Sequence, residues 1–119
     1  MIESDKSLPG WIGRASRLEA EGRLDRQPVG TFILRQGDEL DDRIARALAR
    51  ENHERVESCV LTFVEPHEKI SEKLIVHVPE GWTFYEDNPD LHDPEYHFYP
   101  TMRELLESVE SVARRPLSF

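Results

Sequence analysis

Arginines in the first third of the chain are the side chains best suited to bind an anion. They are Arg14, Arg17, Arg23, Arg26 and Arg35. A guanidinium group matches the flat oxygen edge of a phosphate or carboxylate better than an ammonium group does. The net charge is −9, but residues 1–35 carry six bases and five acids, whereas residues 36–119 carry nine bases and nineteen acids. An anion site is therefore predicted in the N-terminal third.

Arg35 is the most distinctive of these arginines, because it follows an apolar run. Residues 31–34, Thr-Phe-Ile-Leu, have the composition of a strand. Side chains alternate along a strand, so Thr31, Ile33 and Arg35 are expected to share one face. An arginine beside a core face is costly unless an anion or hydrogen bonds satisfy it. Either a bound anion or an internal salt bridge, to Glu19, Asp38 or Glu39, is predicted.

Local signals place the remaining elements around this strand. Ser16 and Glu19 have the capping-box spacing, which predicts a helix over residues 17–24. An apolar stripe of Leu40, Ile44 and Leu48 predicts a helix from 40 to about 52. Further strands are predicted at 59–64, 73–78 and 82–85, and a last helix from 102 to about 113, capped by Thr101. Residues 86–98, acidic and with two prolines, are predicted to form a long loop. This order is typical of an α+β fold.

Composition limits the functional classes. The chain has 119 residues, which suits one domain, preceded by a short lead-in over residues 1–10. The acidic net charge argues against nucleic acid or an anionic membrane as the main partner. A single cysteine, Cys59, in an apolar run is interpreted as structural, and it suits the cytoplasm. Neither the histidines nor the aspartates have the spacing of a metal site, and no catalytic constellation or cofactor motif is found.

A family resemblance appears when the motifs are read together. The string Gly30-Thr31-Phe32-Ile33-Leu34-Arg35 resembles the strand of Src homology 2 (SH2) domains that carries their phosphotyrosine-binding arginine. Trp11 stands where the family places its opening tryptophan, and residues 14–21 look like the start of its first helix. Residues 99–106 are similar to the entry into its second helix, and Pro116-Leu117 to its closing segment.

The resemblance implies a more specific fold than the α+β class that local signals predict. It implies a single SH2-like domain over residues 11–119, in which a central antiparallel sheet is flanked by two helices. The chain departs from the family pattern in one place: an extra helix, over about 38–57, is predicted as an insert between the second and third core strands of that sandwich. Because the insert follows the strand of Arg35, it is predicted as a candidate lid, with a stripe of arginines at Arg43, Arg46 and Arg50. A solvated helix face is the alternative.

The resemblance also implies a function, a phosphotyrosine-peptide-binding module that is not an enzyme. Arg35 is expected to hold the phosphate, with Arg17 in the second phosphate-binding role. Gln36, Gly37 and Lys73 complete the phosphotyrosine-binding candidates. Residues after Arg35 offer no hydroxyl until Ser58, so backbone amides around Gly37 are expected to replace hydroxyl donors. Selectivity for the peptide residues that follow phosphotyrosine is assigned to the 86–98 loop, and the selectivity candidates are Leu74, Tyr96 and His97.

The expected partner is a tyrosine-phosphorylated protein or peptide, bound by a monomer. Two other functions stay open at this point. One is a small acidic chaperone or dimeric interaction protein, which fits the size, the charge and the α+β pattern. The other is an SH2-like fold that has lost phosphate binding, since Asp38 and Glu39 follow Arg35 closely and are expected to repel a phosphate.

Overall fold

Six strands form one open, mostly antiparallel sheet in the computed structural model of the chain, which describes residues 8–117. Three helices accompany the sheet, and a short 3-10 turn, Pro66–Glu68, joins two of its strands. In chain order the elements are β1 (Trp11–Arg14), α1 (Arg17–Leu24), β2 (Thr31–Gln36), α2 (Glu39–Asn52), β3 (Glu57–Val64), β4 (Ile70–Val78), β5 (Gly81–Phe84), α3 (Met102–Glu107) and β6 (Arg115–Pro116). The α+β class predicted from the sequence is confirmed.

Strand β2 pairs with three other strands of the sheet, β1, β3 and β6. The strand order is β1-β2-β3-β4-β5, and the pairs from β2 to β5 are antiparallel. β1 and β6 are both parallel to β2: Trp11 lies opposite Leu34, and Arg115 lies opposite Thr31. β3 therefore occupies one edge of β2, while β1 and β6 share the other edge. All six β2 residues are buried. Because side chains alternate along a strand, Arg35 lies on the same face as Ile33.

The two faces of the sheet carry separate apolar clusters. α1 packs on the face of Ile33 through Ala20 and Leu24. α2 packs farther along the same face, where Leu48 contacts Val76. α3 covers the opposite face, in a cluster whose members are Phe32, Leu34, Leu61, Phe63, Ile75, Met102, Leu105 and Leu106. α1 and α2 thus lie side by side on one face, and the polar residues between them form the candidate site.

Capping boxes begin both helices of that face. At α1 the amide of Glu19 donates to Ser16 Oγ at 3.1 Å, and the helix spans the predicted residues 17–24. At α2 the amide of Leu40 donates to Asp38 Oδ1 at 3.0 Å, and the amide of Asp38 donates to Asp41 Oδ2 at 3.0 Å. Such reciprocal bonds satisfy amides that have no partner inside the helix. Helix starts were therefore predictable within a residue.

Several features differ from the sequence predictions: β1 and β6 were not predicted as strands, β3 begins at Glu57, two residues earlier than predicted, and β5 is shifted by one residue. α3 ends at Glu107 instead of near residue 113, because Ser108 Oγ donates to the Leu105 carbonyl at 2.5 Å and competes with the helical backbone. β4 begins at Ile70, three residues earlier than predicted, because residues 70–72 pair with β3. Leu40 is 64% exposed although it belongs to the apolar stripe of α2, since the stripe reaches the core only from Ile44 onward.

Both ends of the described chain contribute to the sheet, through β1 and β6. Most of the predicted 1–10 lead-in lies outside the described residues, as do the last two residues of the predicted 11–119 domain. Gly10 is described, and its carbonyl accepts a hydrogen bond from the Leu34 amide at 2.9 Å. Within residues 8–117, none of the helices combines the length and apolar character needed to span a membrane.

Replacing Gly81 by alanine is expected to destabilise the fold by about 2 kcal/mol or more, since a strained backbone alone costs on the order of 1–3 kcal/mol. Gly81 has φ +136°, and an added Cβ would lie 2.5 Å from the Tyr99 carbonyl oxygen. Gly22→Ala, inside α1 with open space around it, is the matched control and should stabilise by about 0.5–1 kcal/mol. Urea unfolding of both variants measures the difference, and equal effects would contradict this account.

Candidate anion-binding site

Arg35 lies at the centre of the face shared by α1 and α2, and it is 1% exposed. Its Nη1 donates to the Ala15 carbonyl at 3.0 Å, just before α1 begins. Its Nε and Nη2 donate to one oxygen of Glu72, at 3.2 and 2.9 Å. Asp41 Oδ2, from the first turn of α2, lies 3.7 Å from Nη1. Arg35 is therefore held by an internal salt bridge, with Glu72 and Asp41 in place of the predicted Glu19, Asp38 or Glu39.

Glu72 joins Arg35 to a second arginine and to a hydroxyl. Its Oε2 accepts from Thr62 Oγ1 at 2.7 Å as well as from Arg35. Its Oε1 lies 3.6 Å from Nε of Arg17, which also donates to Glu21 at 3.0 Å. Both arginines implied by the family resemblance thus meet at one carboxylate. The arrangement is an anion seat that consists of Arg35, Arg17 and Thr62, and in this structure the anion is a side chain of the chain itself.

Side-chain exposure falls along the line from Arg17 to Arg35. The values are 63% for Arg17, 17% for Glu72 and 2% for Arg35. An anion that approaches from solvent therefore meets Arg17 first, and it meets Glu72 before Arg35. Two arginines face three acids here, Glu72, Asp41 and Glu21, so the local charge is about neutral to slightly negative.

The backbone amides near Gly37 are also occupied by carboxylates. Asp38 accepts from the Asp41 amide at 3.2 Å, and this bond is the main cause that lowers the pKa of Asp38. Burial raises the pKa of Asp41, and the bond from the Asp38 amide and the charge of Arg35 oppose that rise only in part. A Cβ on Gly37 would lie 2.4 Å from the Asp41 Cβ, so Gly37 permits this packing. The predicted nest for phosphate is therefore filled by the capping box of α2.

Two of the predicted phosphotyrosine-binding residues lie away from the seat. Lys73 pairs opposite Leu61, so its side chain is on the α3 face, 5.5 Å from the centre of the Phe84 ring. Gln36 is the last residue of β2, and it lies beside Asp42, Ala45 and Arg46 of α2. It lines a separate cleft of about 270 Å³. The structure thus brings together Arg35, Arg17 and the Gly37 segment, but not Lys73 or Gln36.

The inserted helix α2 contacts the seat through an acid instead of an arginine. Arg43 pairs with Glu39 at 3.1 Å, and both side chains are mostly exposed. Arg46 is exposed and lines the cleft of Gln36, and Arg50 is exposed as well. α2 therefore borders the seat beside Arg35, as a lid would, but the stripe of Arg43, Arg46 and Arg50 has the character of a solvated helix face.

The 86–98 loop packs against α2 and is well anchored. Asn52 Nδ2 donates to the Pro89 carbonyl at 2.8 Å, and Asn52 Oδ1 accepts from the Leu91 amide at 2.9 Å. Of the predicted selectivity residues, Tyr96 is 7% exposed and its hydroxyl donates to the Asn88 carbonyl at 2.6 Å. Leu74 packs in the same apolar cluster. Only His97 is exposed, with its ring 4.6 Å from that of Tyr99.

Glu72 is the residue of the seat that sequence reasoning missed. The prediction began β4 at residue 73, which left Glu72 in a turn. The signal was nevertheless present: Ile70, Glu72, Leu74, Val76 and Val78 alternate along β4, so one acid interrupts an apolar row. A single acid in one row and a single arginine in another, on strands of the same sheet, indicate an ion pair across that face.

A cysteine and a cluster of potential metal ligands also carry reactive or ligating groups, and both lie outside the anion seat. The Cys59 thiol is fully buried, and burial raises its pKa to about 12, so the thiolate needed for nucleophilic chemistry is scarce near neutral pH. Glu54, Glu80 and His92 bring three potential metal ligands within 4.8 Å of one another. Burial and the neighbouring Glu80 raise the pKa of Glu54, which lies 3.5 Å from His92 Nε2. These three residues are the ones that suit a cation among the described residues.

Comparison with known proteins does not identify a family. The sequence matches no protein-family model, and it matches none of the curated proteins. The resemblance to SH2 domains therefore stays a prediction that rests on the quoted motifs. The structure confirms the coarser α+β architecture, and it shows both Arg35 and Arg17 beside the Glu72 carboxylate.

Arg35→Met is expected to lower the free energy of unfolding by roughly 3–5 kcal/mol, because it leaves Glu72 without its main partner in a mostly buried position. In the double variant Arg35→Met with Glu72→Leu, much of that loss should be recovered. Chemical denaturation of the wild type, both single variants and the double variant yields the coupling energy. Additive effects would contradict a direct interaction between the two side chains.

Proposed function

We propose that this chain is a phosphotyrosine-peptide-binding module with an SH2-like arrangement of its elements. The observation that carries the proposal is the anion seat, in which a buried arginine and an exposed arginine converge on the same carboxylate. A phosphate has the same flat oxygen edges and nearly twice the charge, so the two guanidinium groups suit it at least as well. Tyrosine-phosphorylated protein or peptide is thus the proposed partner.

The arrangement of the elements supports the SH2-like part of the proposal. The string that ends in Arg35 forms β2, which lies inside the sheet, with α1 on one face and α3 on the other. Trp11 and Pro116, which carry the resemblance at the two ends of the chain, both pair with β2. The helix α2 lies between β2 and β3, where the sequence predicted an insert that departs from the family pattern.

The depth of the seat favours phosphotyrosine over phosphoserine. Arg35 is 1% exposed, so a ligand phosphate must pass Arg17 to reach it. A tyrosine ring carries its phosphate several ångströms farther from the peptide backbone than a serine side chain does. Arg17 stands near the N-terminus of α1, where the helix dipole also favours an anion.

Arg17→Gln is the sharpest test, because Arg17 is 63% exposed and its loss should leave the fold intact. The affinity for a phosphotyrosine peptide should fall about tenfold, since a charge-assisted hydrogen bond contributes about 1.5 kcal/mol or more. Arg35→Lys should abolish detectable binding, because lysine keeps the positive charge but lacks the paired N–H donors with which a guanidinium binds two phosphate oxygens. Fluorescence anisotropy with a phosphotyrosine peptide library measures the affinities of both variants, and unphosphorylated and phosphoserine peptides serve as control ligands.

Arg23→Gln, at the other end of α1, is the matched control and should bind like the wild type. Binding that is equal for phosphorylated and unphosphorylated peptides would contradict the proposal. So would an Arg17→Gln variant that is folded and binds as tightly as the wild type.

A module of the same fold that has lost phosphate binding is the second candidate. It is favoured by the internal satisfaction of Arg35, which needs no ligand to be stable. The acidic chaperone or dimeric interaction protein has less support. The large exposed apolar side chains among residues 8–117 are Leu18, Val29, Leu40 and Val112, and they stand on different segments. A folded monomer that binds none of the peptides would favour the second candidate.

A further inference from the structure

Glu72 occupies the place that the proposed function assigns to the phosphate. Its two oxygens divide between the two arginines, Oε2 toward Arg35 at 2.9 Å and Oε1 toward Arg17 at 3.6 Å. The fork of Arg35 directs both Nε and Nη2 at this carboxylate, and its remaining Nη1 bond goes to the Ala15 carbonyl. The donors that Arg35 would present to a phosphate are therefore already in use, so phosphate and Glu72 exclude each other.

The Thr62 hydroxyl belongs to the same seat. It is buried on β3, opposite Glu72 on β4, and donates to Glu72 Oε2 at 2.7 Å. If the carboxylate leaves, this hydroxyl is free to donate to another oxygen in the same place. The segment after Arg35 has no hydroxyl until Ser58, so the neighbouring strand supplies the donor that this segment lacks.

Only a side chain needs to move for the seat to open. The backbone of β4 is fixed by its pairing with β3 along the whole strand. The Glu72 side chain is 17% exposed, whereas Arg35 and Thr62 are buried. Glu72 is therefore the member of this group that faces solvent. A change of its side-chain rotamer toward solvent would expose Arg35 and leave the sheet intact.

We infer that Glu72 is a built-in competitor of the ligand phosphate, a carboxylate that closes the seat until a dianionic phosphate displaces it. The inference rests on the proposed function and names the regulation of the same site. In the closed seat the carboxylate satisfies Arg35, and in the open seat phosphate accepts from Arg35, Arg17 and Thr62. The apparent affinity is then lowered by the fraction of molecules in which the seat is closed.

Glu72→Gln tests the competition, because glutamine keeps the shape and an acceptor oxygen but loses the charge. The affinity of this variant for a phosphotyrosine peptide should rise about tenfold, which is the gain expected if the wild-type seat is closed in about nine-tenths of the molecules. Glu21→Gln is the matched control: Glu21 pairs with the exposed Arg17 at 3.0 Å, whereas the hydrogen bonds of Arg35 go to Glu72 and the Ala15 carbonyl. Its effect should be well below that of Glu72→Gln. Thr62→Val in the Glu72→Gln background should remove part of the gain.

Glu72→Ala with phenyl phosphate tests the seat without a peptide. Removal of the carboxylate leaves the buried Arg35 with only the more distant Asp41, at 3.7 Å, as an anionic partner, so the variant should melt at a lower temperature than the wild type. Phenyl phosphate should restore its Tm, because a ligand that binds only the folded state stabilises it. The wild type, whose seat is closed, should gain less.

The outcomes separate this inference from the proposed function. If the wild type binds phosphotyrosine peptides and Glu72→Gln binds no tighter, the competition is wrong and the proposed function stands. If no variant binds a peptide but phenyl phosphate restores Glu72→Ala, the closed anion seat is supported and the proposed function fails. If phenyl phosphate does not stabilise Glu72→Ala more than the wild type, the inference is overturned whatever the peptides do.

Discussion

The ion pair between Arg35 and Glu72 is the interaction on which the α1 and α2 face of the sheet depends. A guanidinium group that is 2% exposed is costly unless charge and hydrogen bonds both satisfy it. Glu72 supplies the charge from β4, and the Ala15 carbonyl supplies an acceptor from the segment before α1. One side chain of β2 thus connects two other parts of the fold, β4 and the segment before α1.

The beginnings of two helices converge on this pair, and their capping boxes place the charged groups. Ser16 caps α1, which sets Arg17 in the first turn, on the outer side of Glu72. Asp38 caps α2, and the reciprocal acceptor Asp41 approaches Arg35. The positive ends of both helices therefore point toward a region that already holds arginines, which favours an anion there. Local capping chemistry and the long-range ion pair reinforce each other.

Elements with local signals were predictable from the sequence, and contacts set by strand register were not. A capping box defines α1, and an apolar run ends in Arg35, so both elements were predicted with nearly correct bounds. Glu72 reaches Arg35 across 37 residues, through β3, and depends on which β4 residue lies opposite Thr62. A shift of one residue moves every side chain of a strand to the other face. That sensitivity explains why Lys73 was assigned to the seat while its neighbour Glu72 occupies it.

An acidic chain with an arginine seat meets two opposing demands. A seat left open would hold Arg35 buried without an anion and would lower the stability of the free protein. A seat closed by a carboxylate keeps the free protein stable but lowers its affinity for any ligand anion. Because Glu72 retains some exposure and belongs to a rigid strand, opening changes one side chain and leaves the fold unchanged. In the proposed function the closed seat stabilises the free domain, and a phosphate dianion, which carries more charge than a carboxylate, is the group best suited to displace Glu72.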